Sequence, residues 1–210
     1  MQNIILASSS PRRQEILKLL NIPYKVIQPQ CSEDLPEDIE IEKIPEFLAT
    51  KKVDSVVRSL PPENEYPWIL GADTIVVCGK KIYGKPENKE QAFQFLKELQ
   101  GKSHKVLTGI ALYNGTLHFV SNRTAVTKVT FAPMDDEEIN KYLSTGEWHG
   151  AAGGYRIQGL ASCYISKIEG TNSNVVGLPI FELYDMLKEQ NYQFSWFFCR
   201  DLWKTVGNLP

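Results

Sequence analysis

The segment Ser8-Ser9-Ser10-Pro11-Arg12-Arg13 places two guanidiniums where a helix begins. Ser10 has the type of an N-cap and Pro11 that of a first helical residue. A helix start already carries partial positive charge on its unpaired N–H groups. Each arginine there costs about 0.3–1 kcal/mol if exposed, and a bound anion reverses the sign. The hydroxyls of Ser8 and Ser10, the free N–H groups and the forks of Arg12 and Arg13 together suit a phosphate. The plainer alternative is a capped helix with two solvated arginines, and the segment alone does not separate the two.

Asp73 interrupts an otherwise apolar run from Ile69 to Val77. A carboxylate buried there is costly unless it is paired, protonated or metal-bound. A cleft-edge functional carboxylate explains it; a buried Asp accepting backbone hydrogen bonds is the alternative. Thr74 offers a hydroxyl on the opposite face of the same strand. Lys52 borders the apolar stripe of its helix, a position that a snorkelling side chain explains by itself. Lys85, between Gly84 and Pro86, presents an ammonium from a turn, suited to phosphate as a point charge or simply solvated. In GAAGGYRIQG (150–159), small residues permit close ligand approach. Tyr155 could stack on a base there and Gln158 could pair with it. A glycine-rich turn entering a strand gives the same pattern.

The elements that must position these groups follow from periodicity. Asn3–Ala7 reads as a buried strand, and residues 11–20 as a helix with Ile16, Leu17, Leu19 and Leu20 on one face. Residues 24–27 suggest a strand, 29–40 an acidic loop, and Pro45 opens a helix striped by Ala49, Val53, Val56, Val57 and Leu60. PPENEYP (61–67) reads as a loop and WILGADTIVVC (68–78) as a core strand. GKKIYGKP turns into a helix begun by Asn88 and Gln91 as a capping-box-like pair, striped by Ala92, Phe95, Leu96 and Leu99 and stopped at Gly101. Residues 104–113 and 117–132 form strands around an Asn114-Gly115 hairpin signal, 135–144 a helix, and 178–189 a last helix. Interleaved strands and helices predict an α/β class.

The chain has 210 residues, enough for one domain of one or two lobes, and its formal net charge of −2 argues against a dedicated nucleic-acid binder. Cys31, Cys78, Cys163 and Cys199 form no CxxC pair, so reduced thiols are expected rather than a zinc site. No secretory signal and no membrane span is expected. P-loop, GxGxxG, GxSxG and HExxH signatures are absent. The aromatic tail, with Phe194, Trp196, Phe197, Phe198 and Trp203, is expected to pack on the body or to form a dimer contact.

Six segments in order resemble the Maf family of nucleoside triphosphate pyrophosphatases: SSSPRR (8–13), GADTIV (71–76), GKP (84–86), TG (108–109), AGGYRIQG (152–159) and NVVGLP (174–179). The match runs from Ile4 to Leu187; residues 191–210 lie outside it. The resemblance implies one Maf-like domain over residues 1–210, of the inosine-triphosphatase-like kind, with an elongated, mixed, mostly antiparallel sheet and a nucleotide cleft between two lobes. It implies a cytoplasmic, homodimeric enzyme that uses Mg²⁺ or Mn²⁺ and converts a nucleoside triphosphate to monophosphate and pyrophosphate. Asp73 matches the catalytic acid–base residue, Glu33 its helper carboxylate, and Lys52 and Lys85 the triphosphate lysines. Asp73 and Glu33 would hold the metal. Ser8, Ser10, Arg12, Arg13, Thr74 and Gln158 match substrate-binding positions, and Arg12, Thr74 and Gln158 resemble the dTTP/UTP branch rather than the 7-methyl-GTP branch. Removal of non-standard nucleotides is the implied role; a nucleotide-binding regulator of septum formation is the rival. Ala151 departs from the family pattern, where many members carry lysine, and Arg156 is a substitute cation to consider.

Overall fold

The structure, a computed structural model, describes residues 1–61 and 68–194. Its centre is one seven-stranded mixed sheet in the order β2-β1-β3-β5-β6-β7, with β4 also on β3. The strands are β1 (Ile4–Ala7), β2 (Tyr24–Val26), β3 (Trp68–Cys78), β4 (Lys81–Tyr83), β5 (Ser103–Asn114), β6 (Phe119–Phe131) and β7 (Ile165–Glu169). β1 pairs in parallel with β2 and β3, and every other pairing is antiparallel. The α/β class is as the periodicity predicts, and the mostly antiparallel mixed sheet is as the resemblance implies.

Alternation along β3 and β5 divides the molecule by face. Leu70, Ala72, Ile110 and Leu112 join one apolar cluster with helices α1 (Pro11–Leu19) and α6 (Ile180–Glu189). Farther along the same face, Val76 and Val106 join a second cluster with α3 (Lys89–Leu99) and α4 (Asp136–Ser144). Between the two clusters, on that face, stand Thr74 and Thr108, paired in register. The other face, through Ile69, Ile75 and Val77, packs on α2 (Ile44–Ser59).

Two glycines set how closely α2 lies on the sheet. A Cβ on Gly71 would come 2.5 Å from the Ala49 carbonyl oxygen, and one on Gly109 2.3 Å from the Glu46 nitrogen. Backbone therefore rests on backbone. Asp73 pairs with Gly109, so this contact delivers the helix side chain Lys52 to Asp73.

Several local expectations change. The 79–86 segment folds back as β4, since Val76–Cys78 offers it a free edge. The Asn114-Gly115 signal gives a four-residue loop because the Asn114 side chain accepts from the Thr116 and Leu117 N–H groups. At α3, Asn88 caps Gln91 N–H, but the Gln91 side chain accepts from Glu87 instead of closing a capping box. The 150–159 turn does not enter a strand: β7 starts at Ile165, after a 3-10 turn. The last helix starts at Ile180, since Pro179 precedes it and Gly177, at φ 114°, closes a short helix α5 (Asn172–Val176). Leu19 is 72% exposed rather than facing the core. Phe194 is buried against Tyr192; Trp196, Phe197, Phe198, Trp203 and Cys199, like residues 62–67, lie outside the described residues.

Candidate active site

β1 covers the edge of β3 only at Ile69–Gly71, and β4 covers it only at Val76–Cys78. Among the described residues no strand covers 72–75 on that edge. A cleft of about 820 Å³ opens there, between the two apolar clusters. That volume lies in the usual range for a small-molecule site. All ten site residues expected from the sequence border it: Ser8, Ser10, Arg12, Arg13, Glu33, Lys52, Asp73, Thr74, Lys85 and Gln158.

Asp73 is buried, and Lys52 Nζ donates to its Oδ1 at 2.5 Å. Pairing, not backbone hydrogen bonding, accounts for the carboxylate in the strand. Lys52 is itself buried, so it is a second buried ion rather than a snorkelling side chain. Its ammonium also meets Glu33 at 3.2 Å. That ammonium is the main reason the Glu33 carboxyl lies below its ordinary value. The acidic loop is held over α2 by Lys51 Nζ on the Asp34 carbonyl and by Gln30 N–H on Ser55. Among the described residues nothing hydrogen-bonds Asp73 Oδ2, which leaves that oxygen for a ligand.

Arg13 donates to three neutral acceptors: Ser8 Oγ at 2.8 Å, the Gly177 carbonyl at 2.8 Å and Thr74 Oγ1 at 3.3 Å. It ties α1 to β3 and to the end of α5. Arg12 donates to the Gly150 carbonyl at 2.9 Å. Burial lowers the pKa of Arg13 to about 10, and Arg12 adds to the shift. Burial also lowers that of Arg12, and repulsion from Arg156 adds to it. Both stay cationic near neutrality, with the cost that an anion would offset. Among the described residues Ser10, at the N-cap position, makes no side-chain cap bond, and it borders the cleft.

Lys85 is exposed on the rim and has no ion pair among the described residues. Gly153 N–H donates to the Gly84 carbonyl, which fixes this turn beside the glycine-rich segment. Gln158 is exposed, on a loop braced by Glu147, whose carboxylate accepts from Leu160 N–H. Tyr155, read from the sequence as a base-stacking candidate, is 5% exposed and sits among Phe131 and His104, with its hydroxyl 2.7 Å from His104 Nε2. An aromatic beside glycines gives the same signal for core and for stacking. Ala151 is buried at the cleft wall and brings no charge. Arg156 is the cleft cation the sequence left open: it donates to the His149 carbonyl at 2.9 Å, one residue from the carbonyl that Arg12 holds.

The arrangement collects positive groups around two carboxylates that converge on one ammonium. It can bind a polyanion and place a carboxylate oxygen beside it. Residues 3–190 match the family described as Maf-like protein. The chain is 44% identical over 188 residues to a dTTP/UTP pyrophosphatase of Desulforamulus reducens, covering 90% of this chain and 96% of that one. It is 38% identical to a protein of the same name from Pelotomaculum thermopropionicum, covering 91% and 98% of the two chains. A third, from Alkaliphilus oremlandii, is 43% identical, with 87% and 93% covered.

Proposed function

The chain belongs to the Maf family, and we propose that it is a nucleoside triphosphate pyrophosphatase acting on dTTP, UTP and related pyrimidine nucleotides. The observation that carries this reading is the Lys52–Asp73 pair on the open edge of β3, in a cleft lined by Arg12, Arg13 and Lys85. A triphosphate brings about four negative charges, and these cations offset them. Water attacks the α-phosphorus. Asp73, through the oxygen that Lys52 leaves free, orients that water and accepts its proton. The bond from the α-phosphorus to the bridging oxygen breaks, and pyrophosphate leaves with its charge screened by Lys52 and Lys85.

A divalent cation would be held by the oxygens of Glu33 and Asp73 that Lys52 does not take, together with the substrate, because the two carboxylates meet at the Lys52 ammonium and among the described residues no group of three acidic, histidine or cysteine side chains could hold a metal by itself. Two carboxylates with phosphate oxygens and waters suit Mg²⁺ or Mn²⁺, which when bound would neutralise phosphate charge. The reading also implies a cytoplasmic homodimer that clears non-standard nucleotides. Among the described residues no helix is long and apolar enough to cross a membrane. The test is pyrophosphate release from dTTP, UTP, CTP, 5-methyl-UTP, 7-methyl-GTP, ATP and GTP with Mg²⁺ or Mn²⁺. Release from dTTP and UTP supports the reading. Release confined to 7-methyl-GTP would move the chain to the other branch, and nucleotide binding without release would make it a regulator.

A further inference from the structure

The seam between the two apolar clusters holds a chain of polar contacts. Arg13 Nη2 lies 3.3 Å from Thr74 Oγ1, and Thr74 Oγ1 lies 2.9 Å from Thr108 Oγ1. Thr108 Oγ1 in turn lies 2.9 Å from the Asn174 carbonyl oxygen. The ends of the chain have fixed polarity, because a guanidinium only donates and a carbonyl only accepts. Each hydroxyl has one proton. Thr108 is fully buried, so its proton must go to the Asn174 carbonyl. Otherwise two oxygen lone pairs would face each other at 2.9 Å. Thr74 must then donate to Thr108, and Arg13 takes one of the Thr74 lone pairs. The Asn174 side chain anchors the last acceptor, donating to the Val106 carbonyl and to Thr127 Oγ1.

Thr74 borders the cleft with its proton already committed. We infer that Thr108 is a positioning residue that makes Thr74 an acceptor only, so that the cleft selects the imide N–H of uracil and thymine over the bare ring nitrogen of cytosine. This rests on the pyrimidine-nucleotide reading and deepens it. Phosphate oxygens are acceptors and gain nothing from Thr74. Sugar hydroxyls are shared by UTP and CTP and do not discriminate. A Gln158 amide can turn to present either its donor or its acceptor. Thr74 cannot turn, so it decides.

Calorimetric binding of UMP and CMP tests the inference without requiring turnover. The wild type should prefer UMP. Thr108→Val frees the Thr74 proton and should narrow that preference roughly tenfold, about the worth of one hydrogen bond. Thr108→Ser, which keeps the hydroxyl, should retain it. An equal loss of both ligands in Thr108→Val, or no preference in the wild type, would overturn the inference. If Thr108→Val does not fold, Thr74→Val replaces it and must lose the preference; an unchanged ratio there overturns the inference equally. A wild type that prefers UMP but releases no pyrophosphate from UTP would refute hydrolysis and leave the selection standing.

Discussion

Arg12 and Arg13 share a helix turn and differ in what they can give a substrate. Arg13 spends three donors on Ser8, Gly177 and Thr74, so it is as much a brace as a ligand contact. Arg12 spends one, on Gly150. Arg12→Ala should therefore raise KM for dTTP by roughly tenfold to a hundredfold, the range of a hydrogen bond to a charged group, with the fold intact. Steady-state kinetics checks this, and an unchanged KM would remove Arg12 from substrate binding. Much at this scale was legible in the sequence. Asp73 stands out because a charge in an apolar run demands a reason, and Arg12 and Arg13 because they sit at the wrong end of a helix. Thr108 was legible only as part of the matched TG segment: a threonine in a strand is ordinary, and its role depends on facing Thr74 across two strands far apart in sequence.

At the scale of elements, the site depends on how close α2 lies to the sheet. Gly109→Ala would press a methyl into the Pro45–Glu46 backbone, which has no flexible end to move. It should cost about 1–3 kcal/mol or more and lower kcat as well, because Lys52 rides on the same helix. Gly84→Ala, where an added Cβ meets nothing, should leave stability unchanged. Thermal unfolding of both variants checks the contrast. The long elements, β3, α2 and α3, follow from periodicity and have the expected extents. β4 and α5 do not. Each is short and exists because tertiary structure offers β4 an open edge and because Gly177 and Pro179 end one helix and begin the next. The open edge at residues 72–75, which makes the cleft, depends on where β1 ends and β4 begins, and no local pattern encodes that.

For the whole molecule, the face occupied by α3 and α4 carries a pH-dependent weakness. His104 is 2% exposed, and burial lowers its pKa to about 4 from an ordinary value of 6.5. The folded protein keeps the imidazole neutral while the unfolded chain protonates it. The stability tied to a neutral His104 is complete above about pH 6.5 and is lost as the pH falls toward about 4. The loss amounts to about 3 kcal/mol. Urea unfolding at pH 7, 6 and 5 should show this slope, and His104→Phe should flatten it over that window; parallel curves would contradict it. His104 also holds Tyr155 under the glycine-rich segment, so this cluster reaches the wall of the cleft. The proposed hydrolysis turns on Asp73 as the carboxylate that activates water. The most direct measurement is Asp73→Asn, compared with wild type for dTTP binding by calorimetry and for pyrophosphate release with Mg²⁺. Binding should stay within a few-fold of wild type, and release should fall on the order of a hundredfold or more. Release at the wild-type rate would contradict that role of Asp73.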